Sequence, residues 1–91
     1  MKIIAINNKI PFKAVPIEEV QTGTRFTLNT SKYGGNTGDE VIITGTRENN
    51  IFGASYRSFF YQNMVSGIEK NDSFQYALNK GITVDYFDRT S

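Results

Sequence analysis

Residues 55–63, SYRSFFYQN, contain four aromatic side chains within six positions. A strand sends alternate side chains to opposite faces, so this stretch predicts a strand with an aromatic pair on each face. The two sets are Tyr56 with Phe60, and Arg57 with Phe59 and Tyr61. One set can line the core of a small domain, which leaves the other set available for binding.

Tyr56 and Phe60 are assigned to the core, because phenylalanine and tyrosine must supply most of the core volume in a chain without tryptophan. Arg57 and Tyr61 are expected to stand on the opposite, accessible face. Phe59 is shared between the two environments, since a C-terminal helix can cover that side. A bulge near Arg57 would change the register and exchange the faces.

Short elements are predicted on both sides of this strand. Residues 24–29, TRFTLN, alternate cleanly and direct Phe26 and Leu28 to one face, as a half-buried strand does. Residues 16–23 predict one helical turn, in which Pro16 suits the first position and Gly23 a left-handed stop. The other predicted elements are a hairpin over residues 2–12, a strand over residues 40–46, a turn at residues 47–50 and a strand from residue 51.

Residues 72–81, DSFQYALNKG, are the best helix candidate in the chain. Asp72 or Ser73 can cap its start, and Gly81 can end it in a left-handed conformation. The apolar side chains that share one helical face are Phe74, Ala77 and Leu78. A last strand is predicted over residues 82–87, ITVDYF.

These elements predict a single domain over residues 1–91 that is mainly β, with a minor α+β character. The expected architecture is a small, partly open β-barrel, SH3-like or OB-like, with one short C-terminal helix. The predicted core consists of Phe26, Leu28, Val41, Ile43, Phe74, Leu78 and Val84.

Composition limits the chemistry that the chain can perform. Its 91 residues are 38% hydrophobic and 21% charged, and they include neither cysteine nor histidine. The chain therefore lacks a thiol nucleophile, a thiolate metal ligand and the commonest general base. We expect a protein that is not an enzyme, with no catalytic residue, no bound metal and no cofactor.

The glycine-rich segment at residues 34–38, GGNTG, resembles a phosphate-binding loop only in part. It leads into Asp39 and a strand, whereas a phosphate-binding loop continues into a lysine and a helix. We interpret residues 31–39 as an exposed loop between strands. Lys32 and Tyr33 can join a binding surface there, because loops often carry contacts.

Charge and hydropathy favour a cytoplasmic binding protein. The net charge of +1 suits neither a basic nucleic-acid coat nor an acidic mimic of DNA. The apolar run near the N-terminus ends at Ile6, which is too short for a signal core. No segment approaches the length of a membrane span, so no membrane association is expected.

The leading hypothesis is a stand-alone inhibitor or adaptor that occupies a surface on a partner protein. The expected partner-binding residues are Arg57, Phe59, Tyr61, Tyr33 and Lys32, because aromatic and arginine side chains anchor interfaces. In size and composition the chain resembles the anti-defence and host-takeover proteins of bacteriophages, with no shared motif. This resemblance implies a partner in a bacterial host.

The alternative is a small β-barrel that binds nucleic acid through an aromatic and basic face. Aromatic side chains would stack on bases, and nearby cations would contact phosphates. The stacking set is Tyr33, Arg57, Phe59 and Tyr61, and the phosphate set is Lys32, Arg47 and Arg25. Affinity should then fall steeply with salt, because phosphate contacts release counterions.

Overall fold

The computed structural model of the chain describes residues 14–89, which form antiparallel β-structure with no α-helix among them. The elements in chain order are β1 (Val15–Pro16), a 3₁₀ turn (Ile17–Glu19), β2 (Arg25–Leu28), β3 (Glu40–Ile51), β4 (Ala54–Asn63), β5 (Glu69–Ala77), β6 (Thr83–Val84) and β7 (Phe87–Arg89). The prediction of a mainly β fold is confirmed. The hairpin predicted over residues 2–12 lies outside the described residues.

Two antiparallel sheets organise the strands. The larger sheet has five strands in the order β5-β4-β3-β2-β7, and the smaller sheet pairs β1 with β6. The strand predicted over residues 82–87 is thus divided between the two sheets. Since β5 and β7 stand at opposite edges and do not pair, the strands between residues 14 and 89 form no closed barrel.

The β3–β4 hairpin turns later in the chain than predicted. β3 continues to Ile51, so residues 47–50 pair with β4 instead of forming the turn. The turn consists of Phe52 and Gly53, whose φ angles of 52° and 81° are both positive. Two positive φ angles are typical of the type I′ turn, whose twist matches that of the flanking strands. The predicted turn at residues 47–50 is therefore wrong.

The predicted C-terminal helix is also wrong, because its first six residues belong to β5. β5 pairs with β4 from Gln62 opposite Glu69 to Tyr56 opposite Ala77. A ten-residue helix is marginal on its own, whereas this segment completes a ladder along a long strand. Asp72 still caps the backbone locally, since its carboxylate accepts the N–H of Phe74 at 3.0 Å.

The buried face of β4 is the reverse of the predicted one. Phe59 and Tyr61 are 0% and 2% exposed, whereas Tyr56 and Phe60 are half-buried on the other face. The rings packed around Phe59, at centroid distances of 5.6–6.1 Å, are those of Tyr61, Tyr76 and Phe87. The predicted alternation is present, but side chains from β5 and β7 select which side is buried.

Most of the predicted core is observed. The predicted residues that are buried are Phe26, Leu28, Val41, Ile43 and Val84. Leu78 is half-buried against this cluster. Phe74 is 63% exposed, so its assignment to the core is wrong: it lies in the irregular part of β5 between Asp72 and Tyr76, where the pairing with β4 shifts register. Phe26 stacks on Phe87 at 5.1 Å, which joins β2 to β7.

Arg57 fastens the 3₁₀ turn to the larger sheet. Its Nη1 donates to the carbonyl oxygens of Ile17 and Val20, both at 3.1 Å. Its Nε and Nη2 donate to one carboxylate oxygen of Glu48 at 3.0 and 2.6 Å. The side chain is 14% exposed, so the prediction that Arg57 stands on an accessible face is wrong. The helical turn predicted over residues 16–23 is confirmed as this 3₁₀ turn.

Candidate functional site

The residues predicted to bind a partner separate into two groups. Phe59 and Tyr61 are buried, and Arg57 is engaged by backbone carbonyls and a glutamate. Tyr33 and Lys32 are exposed on the loop between β2 and β3. The accessible face predicted on β4 is therefore wrong for Arg57 and Tyr61, and Phe59 takes the covered one of its two predicted environments, whereas the two loop residues are exposed.

Tyr33 lies in a groove between the β2–β3 loop, β5 and the turn before β7. We define this aromatic groove by Tyr33, Phe74, Tyr76 and Tyr86, which line two adjoining cavities of about 580 and 330 Å³. Tyr33 stacks on Tyr86 at a ring-centroid distance of 4.3 Å, and Phe74 meets Tyr76 edge-on at 4.8 Å. Tyr33 and Phe74 are 42% and 63% exposed, so the rim of the groove is accessible.

Asp72 organises the tyrosines beneath the rim. One of its carboxylate oxygens accepts hydrogen bonds from the hydroxyl groups of Tyr76, at 2.7 Å, and of Tyr86. Tyr61 donates instead to the backbone oxygen of Tyr33 at 2.9 Å, which ties the loop to the sheet. Burial raises the pKa of Tyr76 and Tyr86 far above the usual range, and their hydrogen bonds to the Asp72 carboxylate raise it further.

We expect the fold to lose stability above about pH 10. Burial, followed by the charge of Asp72, raises the pKa of Tyr61 to about 12, and Tyr76 and Tyr86 shift in the same direction. The unfolded chain releases these protons near about pH 10. Above this pH it binds fewer protons than the folded chain, so the free energy of unfolding falls as pH rises. Tyrosine absorbance at 295 nm and circular dichroism should report ionisation and unfolding together.

Tyr76→Phe is the matched variant, because it keeps the ring and removes one shifted hydroxyl group. Its stability should fall less steeply between about pH 10 and 12 than that of the wild-type chain. The prediction fails if every tyrosine ionises while the circular dichroism spectrum stays that of the folded protein.

A buried amide anchors the loop that carries Tyr33. Asn63 is fully buried at the end of β4, and its Nδ2 donates to the Asp39 carboxylate at 3.0 Å and to the Gly34 carbonyl at 3.4 Å. Its Oδ1 accepts the backbone N–H groups of Val65 and Ser66 in the β4–β5 turn. The Asn63 side chain therefore forms hydrogen bonds with polar groups of both the β2–β3 loop and the β4–β5 turn, which meet at the same end of the sheet.

The close approach of the loop to Asn63 explains the glycine at position 35. A β-carbon on Gly35 would collide with the Asn63 amide and would approach Leu28 to 2.8 Å. Asp39 closes the loop, because its carboxylate also accepts the backbone N–H of Asn36 at 2.9 Å. The hydrogen bonds from Asn36 and then from Asn63 hold the pKa of Asp39 below its usual value. The glycine-rich segment thus allows the loop to pack closely against Asn63 and Leu28.

The tip of the β3–β4 hairpin is a second exposed feature. Phe52 is fully exposed there, next to Ile51, which is 42% exposed. The φ angle of 52° puts Phe52 in the left-handed region, which is costly for a residue with a bulky side chain. The other non-glycine residue with positive φ between residues 14 and 89 is Asn79, a type that tolerates this conformation.

The charges of the chain are nearly balanced. Its ten basic and nine acidic side chains give a net charge of +1. Within residues 14–89, three arginines form ion pairs: Arg25 with Glu40, Arg57 with Glu48, and Arg89 with Glu19. This balance weakens the electrostatic attraction that nucleic-acid binding requires.

Sequence reasoning missed three of the four residues of the aromatic groove. Phe74 and Tyr76 fall in the segment predicted to be a helix, and Tyr86 falls in the last predicted strand. A signal for the first two was present, because Asp72, Phe74 and Tyr76 alternate with the period of a strand and so share one face.

No group of three metal-ligating side chains occurs among the residues that the structure describes. The same part of the chain contains no helix that is long and apolar enough to cross a membrane. No protein-family model, curated protein or solved structure matches the chain. Function is therefore inferred from the groove and the hairpin tip themselves.

Proposed function

We propose that the protein is a small non-enzymatic binding protein, an inhibitor or adaptor that occupies a surface on a partner protein. The observation that carries this proposal is Phe52 at the hairpin tip. Its left-handed backbone costs about 1 kcal/mol, and the fully exposed ring recovers none of this by burial within the described chain. An aromatic ring held in this way is suited to fill a pocket on a partner, where such side chains dominate binding energy.

Charge and burial support a protein partner over a nucleic acid. The whole chain has a net charge of only +1, and three of its arginines pair with glutamates, which leaves little electrostatic attraction for phosphates. Of the side chains expected to stack on bases, Phe59 and Tyr61 are buried and Arg57 bonds to the 3₁₀ turn. Tyr33 and the rest of the aromatic groove provide a second contact area, nearer the other end of β4, where the Tyr33 loop is bonded to Tyr61 and Asn63.

The cellular role that we propose is that of a bacteriophage anti-defence or host-takeover protein acting in the bacterial cytoplasm. A small chain with an exposed aromatic tip suits the blocking of a bacterial protein. The proposed fold class is the partly open SH3-like barrel, because β2 to β5 form a meander and β7 returns to β2. An OB-like barrel would follow a Greek-key path.

Phe52→Asn is expected to raise stability and to abolish binding. Asparagine adopts left-handed turn positions readily, so the variant should gain about 1 kcal/mol in unfolding free energy and roughly 4–8 °C in melting temperature. Affinity capture from a bacterial lysate should recover a stoichiometric protein with the wild-type chain and lose it with Phe52→Asn. Thermal denaturation and capture are measured on the same preparations.

Val65→Ala is the matched control. Val65 is exposed and apolar as well, but it lies in the β4–β5 turn, at the opposite end of β4 from the hairpin tip. This variant should capture the same protein as the wild-type chain. Equal capture by Phe52→Asn, or recovery of nucleic acid alone with an affinity that falls steeply with salt, would count against the proposal.

A further inference from the structure

The smaller cavity of the aromatic groove, of about 330 Å³, has an acidic lining. We call it the Asp85 cavity, and its lining residues are Tyr33, Phe74, Tyr76, Ile82, Thr83, Asp85 and Tyr86. Asp85 is the one charged side chain among these described lining residues. Lys70 and Asp72 line the adjoining larger cavity instead. The Asp85 cavity therefore combines aromatic rings with a carboxylate.

The lysine and arginine side chains of residues 14–89 form no ion pair with the two carboxylates of the groove, Asp72 and Asp85. Neither Asp72 nor Asp85 forms an ion pair with another residue in the range 14–89, whereas three glutamates of the same range each pair with an arginine. Asp85 accepts a hydrogen bond from the hydroxyl group of Thr83 at 3.2 Å, which orients its carboxylate. A cationic ligand would therefore find in this cavity a positioned carboxylate that no cation of residues 14–89 pairs with.

The rings of the Asp85 cavity suit a guanidinium group in particular. Tyr33 stacks one ring face on Tyr86 and is partly exposed, and Phe74 is mostly exposed at the rim. The faces of aromatic rings attract cations, and a guanidinium group can stack on a ring while it pairs with a carboxylate. A cavity of this volume is at the small end of ligand sites, which favours one side chain over a larger molecule.

We propose that the Asp85 cavity takes up an arginine side chain from a segment of a partner protein. The guanidinium group would lie against the rings of Tyr33 and Phe74 and next to the Asp85 carboxylate. This inference rests on the proposed protein-binding function and specifies the chemistry that the bound segment presents. It does not depend on Phe52, which is outside the lining of the groove.

Two tripeptides test the inference on the full chain. One is acetyl-Gly-Arg-Gly-amide, and the other carries citrulline, whose neutral urea group replaces the guanidinium group at nearly the same shape. Titration followed by nitrogen-15 NMR should give saturable shifts of the backbone amides around the Asp85 cavity. We expect the arginine peptide to bind at least roughly five-fold more tightly, because cation–π and ion-pair attraction both require the charge.

Asp85→Asn and Asp88→Asn form a matched pair of variants. Both remove one negative charge close together in the chain, but Asp88 does not line the cavity. Asp85→Asn should abolish the preference for arginine, and Asp88→Asn should retain it. Equal affinity for the two peptides, or the same loss in both variants, would overturn the inference. Because the titration uses no lysate partner, its failure is distinguishable from a failure of the capture experiment.

Discussion

Replacing Phe59 by alanine is expected to lower the free energy of unfolding by about 3–5 kcal/mol. The ring is fully buried and lies within 6.1 Å of the rings of Tyr61, Tyr76 and Phe87, which belong to β4, β5 and β7. Its loss would leave a cavity where three strands meet. Since small domains have only about 5–15 kcal/mol of stability, the variant should be close to unfolding at growth temperature.

Phe60→Ala is the control, because it makes the same change one residue along on the opposite face. The Phe60 ring is half-buried, with the guanidinium carbon of Arg47 at 5.9 Å from its centroid. Its loss should cost no more than about 1–2 kcal/mol. Urea denaturation measures both variants, and Phe59→Leu supplies the comparison if Phe59→Ala does not fold. Equal losses at the two positions would refute the assignment of the faces.

Arg57→Met is expected to cost about 2–3 kcal/mol. Methionine retains the aliphatic stem but removes every donor, so the carbonyl group of Val20 loses its Arg57 partner in a partly buried position, and that of Ile17 keeps only the backbone N–H of Val20. The 3₁₀ turn would then lose its side-chain hydrogen bonds to β4 and keep its buried Ile17 and Val20. If Arg57 stood on the accessible face that the sequence predicts, its substitution would change stability by less than about 0.5 kcal/mol.

Arg47→Met tests whether the loss at Arg57 is specific. Arg47 is exposed on the neighbouring strand and contacts one face of Phe60, so its replacement should cost less than about 1 kcal/mol. Thermal denaturation compares the two variants, and amide hydrogen exchange of residues 17–20 reports the 3₁₀ turn. A wild-type melting temperature together with wild-type exchange in Arg57→Met would rule out the anchoring role.

Alternation along the sequence was sufficient to predict β2, the first half of β3 and β4. Alternation is a local property of an extended backbone, so Phe26 and Leu28 share a face whatever the rest of the chain does. The helical turn after Pro16 and the left-handed Gly23 are local in the same way. The amino-acid sequence itself therefore determined that the chain is mainly β and that these strands and turns follow one another in this order.

Only the tertiary structure decided how residues 72–78 fold, since this segment fits both a helical and a strand pattern. As a helix it would align Phe74 with Leu78, and as a strand it aligns Phe74 with Tyr76. The N–H and C=O groups along the free edge of β4 need partners, and pairing with β5 satisfies them. A distant strand thus outweighed a local helical preference.

The same dependence on distant residues explains why the buried face of β4 was predicted wrongly and why the aromatic groove was not predicted. Tyr76 and Phe87 cover Phe59, although they follow it much later in the chain. The aromatic groove likewise joins Tyr33 of one loop to side chains from β5 and from the turn before β7. The sequence determined which side chains share a face, because that depends on the backbone alone. Which face is buried depends on the side chains that meet it, and only the folded chain brings those together.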